Sequence, residues 1–383
     1  MSSGCGHTRG LRSRFDMPVG SQRQRKVAYT VITLLGLAYA FYRGFLFPLP
    51  ARLSAFDHWQ VGDWLIDYSG GVVRRGLSGQ VFFFFAPDGQ SAIALVVITQ
   101  LVLAAALFGL IAVLYMRTDR GPAWMMLVLS PAFVLFYALD ITGNTRKELI
   151  VLVALAVAAV ATRLGRSQVG LWLALPIFAI GVLSHEAFVV TLPAFAYLAF
   201  TSLSAERARI ITGAYALPAI VALTVAVFRP GDSGLAGRIC ESWGQRGIDD
   251  CGGALAAIGI PASDMINALF TESFPGHWVY LLPAALAALP FFALRFFPAQ
   301  RLIGVITVAA VAPLFFIGWD YGRWIVLIVA QLSLLALARP QVSRPMRVPL
   351  YAAAAFILLW GFNHASPALN DGLGIRWLAS IFS

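Results

Sequence analysis

Charge is what this sequence has least of. Only 12% of its 383 residues are Asp, Glu, Lys or Arg, against about 25% in a soluble globular domain. Three cysteines are too few for a disulfide-dense scaffold. No Walker loop, dinucleotide fingerprint, HExxH helix or CxxC pair occurs. Nothing therefore supports a nucleotide-driven enzyme, or one that takes nucleotide sugars on an inner face. A long basic arm is missing too, although the formal net charge is +10. The basic residues stand in short clusters between apolar runs. That is the pattern of a membrane protein's inner loops rather than of a nucleic-acid footprint.

What the chain does have is apolar length. Hydrophobic residues make up 59% of it, with a mean hydropathy of +0.78. The runs recur from Val27 to Asn363, each long enough to cross about 30 Å of hydrocarbon. They are continuous rather than alternating, which selects helices over a barrel. The expectation is an all-α, polytopic transmembrane bundle of about eleven spans. A cytoplasmic tail covers 1–26, a single membrane domain 27–363 and an outer tail 364–383. Spans are placed near 27–47, 91–115, 123–139, 148–164, 169–184, 187–203, 210–228, 278–295, 302–318, 324–338 and 348–362. Two outer loops are long, about 48–90 and 229–277.

The stretch from Val169 to Leu203 is too long for one ordinary span, and Ser184-His185-Glu186 interrupts it where charge is expensive. Splitting it there brings Arg117, Arg120, Arg163, Arg166, Arg207, Arg209, Arg295, Arg301, Arg339, Arg344 and Arg347 to the cytoplasmic side, as the positive-inside rule asks. Of the acidic residues only Asp16, Asp119 and Glu206 join them. Cys240 and Cys251 share the second outer loop, where an oxidising compartment permits a disulfide; two free thiols are the alternative.

Four clusters on the outer face have chemical potential. The first loop holds Asp57, Asp63 and the segment GGVVRRGLSG, in which glycines bracket Arg74 and Arg75. Paired guanidinium forks suit a phosphate; interfacial anchoring accounts for the aromatics but not for the acids and arginines together. Asp140 with Arg146, Lys147 and Glu148 puts a basic pair where the topology disfavours one. Either a ligand phosphate or an acid of the same loop answers it. His185-Glu186 is a base with its orienter, a metal-ligand pair, a proton relay or a helix end at the interface. Both cannot face one spot on a continuous helix, where neighbours diverge by about 100°. Trp319-Asp320-Tyr321-Gly322-Arg323-Trp324 is a tight turn in which Asp320 and Arg323 can pair locally.

In layout the chain resembles the GT-C superfamily of membrane glycosyltransferases, and its VRRG, RKE, HE and DYGRW segments resemble those of O-antigen polymerase-like envelope proteins. The resemblance implies a plasma (inner) membrane enzyme with a periplasmic or outward-facing active site. Its donor would be a polyprenyl-phosphate-linked sugar, its acceptor a glycan or lipid-linked molecule of the cell envelope. By position in the first loop, Asp57, or failing that Asp63, would be the base. Arg74, Arg75, Arg146, Lys147 and Arg323 would hold the phosphate, and His185, Glu186 and Asp320 would orient substrates, with Asp140 and Glu148 beside them. A divalent cation, Mg2+ or Mn2+, would suit a carboxylate–phosphate bridge, though the sequence does not require one. Rival readings are a polymerase or ligase of lipid-linked glycans, a secondary transporter or flippase, and an acyltransferase built on His185.

Overall fold

A backbone amide in hydrocarbon has no water to bond, so it bonds its own helix. Accordingly the apolar runs are helical in the computed structural model, which describes residues 22–268, 270–271, 278–318, 320–339, 345–364 and 369–373. The expected tails 1–26 and 364–383 fall largely outside the described residues, as does Trp319. Helix α1 (Gln22–Phe41) runs through one π turn into α2 (Leu49–Ser54). Then come α3 (Gly62–Leu65), α4 (Gly76–Phe85), α5 (Gly89–Met116), α6 (Pro122–Val128) and α7 (Phe136–Leu139). Next are α8 (Glu148–Arg163), α9 (Ser167–Ser184), α10 (Leu192–Ser202) and α11 (Ala205–Phe228). The second long connection carries α12 (Ser233–Gln245), α13 (Gly253–Ile258) and α14 (Ala262–Ala268). Helices α15 (Leu281–Ala293), α16 (Phe296–Val311), α17 (Tyr321–Ala338) and α18 (Leu350–Leu358) follow. One antiparallel pair, β1 (Trp360–Phe362) with β2 (Leu369–Asp371), is the exception to an all-α chain among the described residues.

Five helices are long and apolar enough to cross a membrane: 22–54, Gly89–Met116, Ser167–Ser184, Ala205–Phe228 and Tyr321–Ala338. The chain is thus a multi-pass membrane protein by length and composition. Two expected spans take other forms. The run 123–139 breaks between α6 and α7, where Pro131 supplies no amide and disfavours helix at Ser130. The run 348–362 is a short α18 followed directly by β1.

Helix α17 lies at the centre, with 94% of its span window buried. Beside it α8 buries nearly every residue from Leu149 to Ala159. Helix α9 approaches α8 closely because small residues meet there. A Cβ at Gly170 would sit 2.1 Å from Ala161, and one at Gly181 2.5 Å from Val151. This seam fixes the end of α9 beside the start of α8, where the charged residues are. The two long connections pack on each other as a satellite core, with Trp64 from the first and Ile239 and Trp243 from the second buried. Cys240 and Cys251 are bonded within it, their Cα atoms 5.5 Å apart.

Candidate functional site

Four segments far apart in sequence converge at the end of the bundle that carries the long connections. They are α3 with the turn before α4, the start of α8, the α9–α10 break and the start of α17. At the break, His185 is extended (φ −162°, ψ 110°) and its Nδ1 accepts from the Ala187 amide at 3.3 Å, capping a short 3-10 turn over Glu186–Thr191. Losing the helix lets the neighbours turn toward one another, with His185 Nδ1 3.8 Å from Glu186 Oε2. Arg75 takes a left-handed backbone (φ 69°). Gly76 follows because a Cβ there would strike the Tyr68 ring at 2.3 Å.

Lys147 is fully buried at the middle of this convergence. Its ammonium donates to the Ser184 carbonyl at 2.9 Å and the Arg75 carbonyl at 3.3 Å, and lies 3.7 Å from Asp63 Oδ1. Burial pushes Lys147 down to about 8, with Asp63 opposing the fall. Burial, then the charges of Arg75 and Lys147, hold His185 well below the usual imidazole range. His185 is therefore neutral, and the proton belongs on Nε2 because Nδ1 accepts. Arg74 and Arg75 both reach Glu186, each with a closest contact of 3.3 Å, and Arg74 Nε also donates to the Pro230 carbonyl.

On the other side of Asp63, Arg323 donates to both Glu148 and Asp320 through very short contacts. Arg146 donates to the Trp59 carbonyl at 2.7 Å with its guanidinium over the Trp59 ring. Arg146 is thus answered by the first loop, and Lys147 by the first loop and the end of α9, not by hydrogen bonds to Asp140 or Glu148. Asp63 acts electrostatically on Arg75, Arg146, Lys147 and Arg323 alike. Asp63 Oδ1, Glu148 Oε2, Arg146 Nε and Arg323 Nη2 are all buried without a hydrogen-bond partner among the described residues. Each such atom costs about 1–3 kcal/mol if left so. Four in one cluster are groups that ordered water or a bound polar molecule would satisfy.

Two clefts open on this cluster. One is lined by Arg74, Arg75 and Glu186 together with Val182, Leu183, Ala222 and Val225 of α9 and α11. The other is lined by Arg146, Glu148 and Arg323 with Phe136, Tyr137, Leu149 and Val326.

Asp57 stands apart. Its Oδ1 accepts from the Trp59 and Gln60 amides at 2.8 and 2.6 Å, and its carbonyl from Val61 and Gly62. It caps the turn that presents Asp63. Asp140 is also engaged: Oδ1 takes Thr142 and Gly143, and Oδ2 takes the His364 amide and ring nitrogen at 2.6 and 2.7 Å. Burial pushes the Asp140 carboxyl up, but the His364 bonds outweigh it and hold it low. His364 carries no local motif that marks it in the sequence. Its distance in sequence from Asp140 hid the bond. Gln60 was missed as well. Its carbonyl accepts from Gln100 at 2.6 Å and its Oε1 from Thr145 at 2.9 Å, tying the first loop to α5 and to the turn before α8.

A bridging divalent cation does not fit this donor set. Asp63, Glu148, Glu186 and Asp320 are each already beside an Arg or Lys, whose charge opposes a metal. Among the described residues no group of three or more His, Cys, Asp and Glu is placed to hold one.

A family model described as "Uncharacterised membrane protein Rv1490" matches residues 30–273. That is more than half of the chain, and the chain belongs to this family. The match spans both long connections, Asp63, the arginine pair, the start of α8 and the helix break, and stops short of α17. No curated protein and no solved structure matches the chain.

Proposed function

We propose that this member of the Rv1490 membrane-protein family is a glycosyltransferase. It would move a sugar from a polyprenyl-phosphate donor to a glycan or lipid-linked acceptor at the non-cytoplasmic face of the plasma membrane. About eleven crossings with a GT-C-like layout and a cytoplasmic N-terminus belong to this reading. The observation that carries it is the charge of the cluster. Five cations (Arg74, Arg75, Arg146, Lys147 and Arg323) face four carboxylates (Asp63, Glu148, Glu186 and Asp320) in a largely buried site. The surplus favours an anion, and the cleft holding the arginine pair has the apolar flank a lipid tail needs.

In the reaction, Asp63 takes the proton of the acceptor hydroxyl as its oxygen bonds the anomeric carbon. The bond from that carbon to the donor phosphate oxygen breaks, and the electron pair leaves with the phosphate. Arg74, Arg75 and Lys147 stabilise the charge that develops there. Asp63 is preferred to Asp57 because the Oδ1 of Asp57 is committed to two amides, whereas Oδ1 of Asp63 has no donor. Glu186 accepts from both Arg74 and Arg75 and so holds the pair together.

The test is transfer in lipid with a panel of undecaprenyl-phosphate and undecaprenyl-pyrophosphate sugars, followed by mass spectrometry. Single-sugar transfer lost in Asp63→Asn and Arg74→Ala, and kept in Asp57→Asn, is the expected result. Growth of long chains that survives Asp63→Asn would make the protein a polymerase of lipid-linked glycans instead. No turnover and no lipid binding would overturn the enzyme reading in favour of transport.

A further inference from the structure

The cleft beside the arginine pair is closed. Its cavity volume is about 20 Å³, room for one water and far too little for a phosphate. A carboxylate of the chain itself occupies the guanidinium groups. Glu186 Oε1 accepts from Arg74 Nη1 and from Arg75 Nε and Nη2, each at 3.3 Å, and Arg75 Nε also reaches Oε2 at 3.4 Å. To a guanidinium fork, carboxylate and phosphate are alternatives, each offering a pair of anionic oxygens. They cannot share this arginine pair, because the space for both is missing and two adjacent anions repel.

Glu186 is the group placed to yield. Its contacts at 3.3–3.4 Å are longer than the about 2.7–2.9 Å of a strong charge-assisted bond. Its backbone belongs to no α-helix. It opens a 3-10 turn over Glu186–Thr191, after an extended His185, and such short turns have poorer hydrogen bonds and serve as hinges. The arginines, by contrast, are tied down. Arg74 donates its amide to the Arg229 carbonyl at 3.3 Å and its Nε to the Pro230 carbonyl at 2.9 Å. The Arg75 carbonyl accepts from Lys147.

We propose that Glu186 is a resident anion that keeps the donor cleft shut, and that the phosphate of a polyprenyl phosphate opens it by taking the place of Glu186 on Arg74 and Arg75. The inference rests on the glycosyltransferase reading in one respect, that phosphate is the ligand of the arginine pair. The apparent affinity is then the intrinsic affinity reduced by the fraction of molecules in which Glu186 has left.

The test is a phosphorus NMR titration of inorganic phosphate against the full chain in phosphatidylcholine nanodiscs. Glu186→Gln should bind phosphate about tenfold more tightly than the wild type, because the closed state no longer competes. Glu186→Asp keeps a charge near the arginines but draws it back by one methylene. It should tighten binding less, and it serves if the glutamine variant does not fold. Adding Arg74→Ala to Glu186→Gln should abolish the gain. Undecaprenyl phosphate built into the disc should displace the bound phosphate, and an equal load of phosphatidylglycerol should not. Binding that is unchanged or weaker in both carboxylate variants would overturn the gate and make Glu186 a positioning residue, with the donor assignment still standing. Phosphate bound by no form of the protein would sink the donor assignment itself. Displacement by phosphatidylglycerol would overturn the choice of polyprenyl phosphate as the occupant.

Discussion

Both ends of the bundle are rich in arginine, and they use it in opposite ways. At the end away from the long connections, Arg163 donates to the Arg117 carbonyl just past α5, and Arg339 to the Thr201 carbonyl near the end of α10. Arg207 reaches Gln168 at 3.2 Å in an exposed pair. The Arg163 and Arg339 guanidinium groups finish helix C-termini, where spare carbonyls and the dipole favour a cation. At the other end Arg75, Arg146 and Arg323 are turned inward, paired with carboxylates or loop carbonyls, and joined by a buried lysine. Topology explains the first set. The second set carries desolvation that packing alone would not select. The contrast teaches that arginine count says little about a membrane protein; where the carboxylates stand beside it says much more.

The sharpest way to break this contrast is to remove one charge from each end. Arg323→Ala strands Glu148 and Asp320 in a buried site and should cost about 3–5 kcal/mol, read as a large fall in thermal unfolding temperature in detergent. Arg339→Ala should cost about 0–1 kcal/mol because its partners are wet. Equal losses would mean the buried network is ordinary scaffolding. Next in size, Asp63→Asn should lower transfer by about 10²–10⁴ and also destabilise the fold, because it takes the charge from beside buried Lys147, whereas Asp57→Asn keeps the capping oxygen and should be close to wild type. If Asp57→Asn fails instead, the turn has been misread and the base lies one residue cluster earlier.

A smaller effect comes from the helix seam. Gly170→Val forces α9 away from Ala161 and should cost about 1–3 kcal/mol by overpacking, measurable by the same melt. Gentlest of all is the pH dependence of Lys147. Burial lowers its folded value from the ordinary 10.5 to about 8, so between these values the unfolded chain binds the extra proton. Stability from this residue therefore rises with pH across that window, while phosphate affinity, which needs the ammonium, falls as pH passes about 8. Titrating phosphate binding against pH checks it, and Lys147→Arg should flatten the alkaline limb.

The sequence made the four outer clusters legible because charge inside apolar runs is costly wherever it occurs. It also placed the break at His185 and the shared loop of Cys240 and Cys251. What it could not show was pairing. Asp57 and Asp63 look alike six residues apart, yet a local turn of amides consumes one and leaves the other facing Lys147. Arg146 invited a partner in its own loop, but a backbone carbonyl at Trp59 was nearer in space. The run 123–139 had the hydropathy of a span, and Pro131 overrode it. Such outcomes depend on which atoms meet across long stretches of chain, and hydropathy and charge counting carry no information on that.

One of these long-range meetings bears on how the molecule is made. Asp140 grips His364 from 224 positions away in sequence, and the carbonyl of His364 in turn accepts the Gly322 amide, next to Arg323. The start of α17 is therefore latched by a residue synthesised long after it. A nascent chain emerging from the ribosome has its arginine pair, its base and its buried lysine early, but the latch closes only when His364 arrives. The contacts that hold the start of α17 beside the charged cluster are thus complete only once the chain has been made as far as His364.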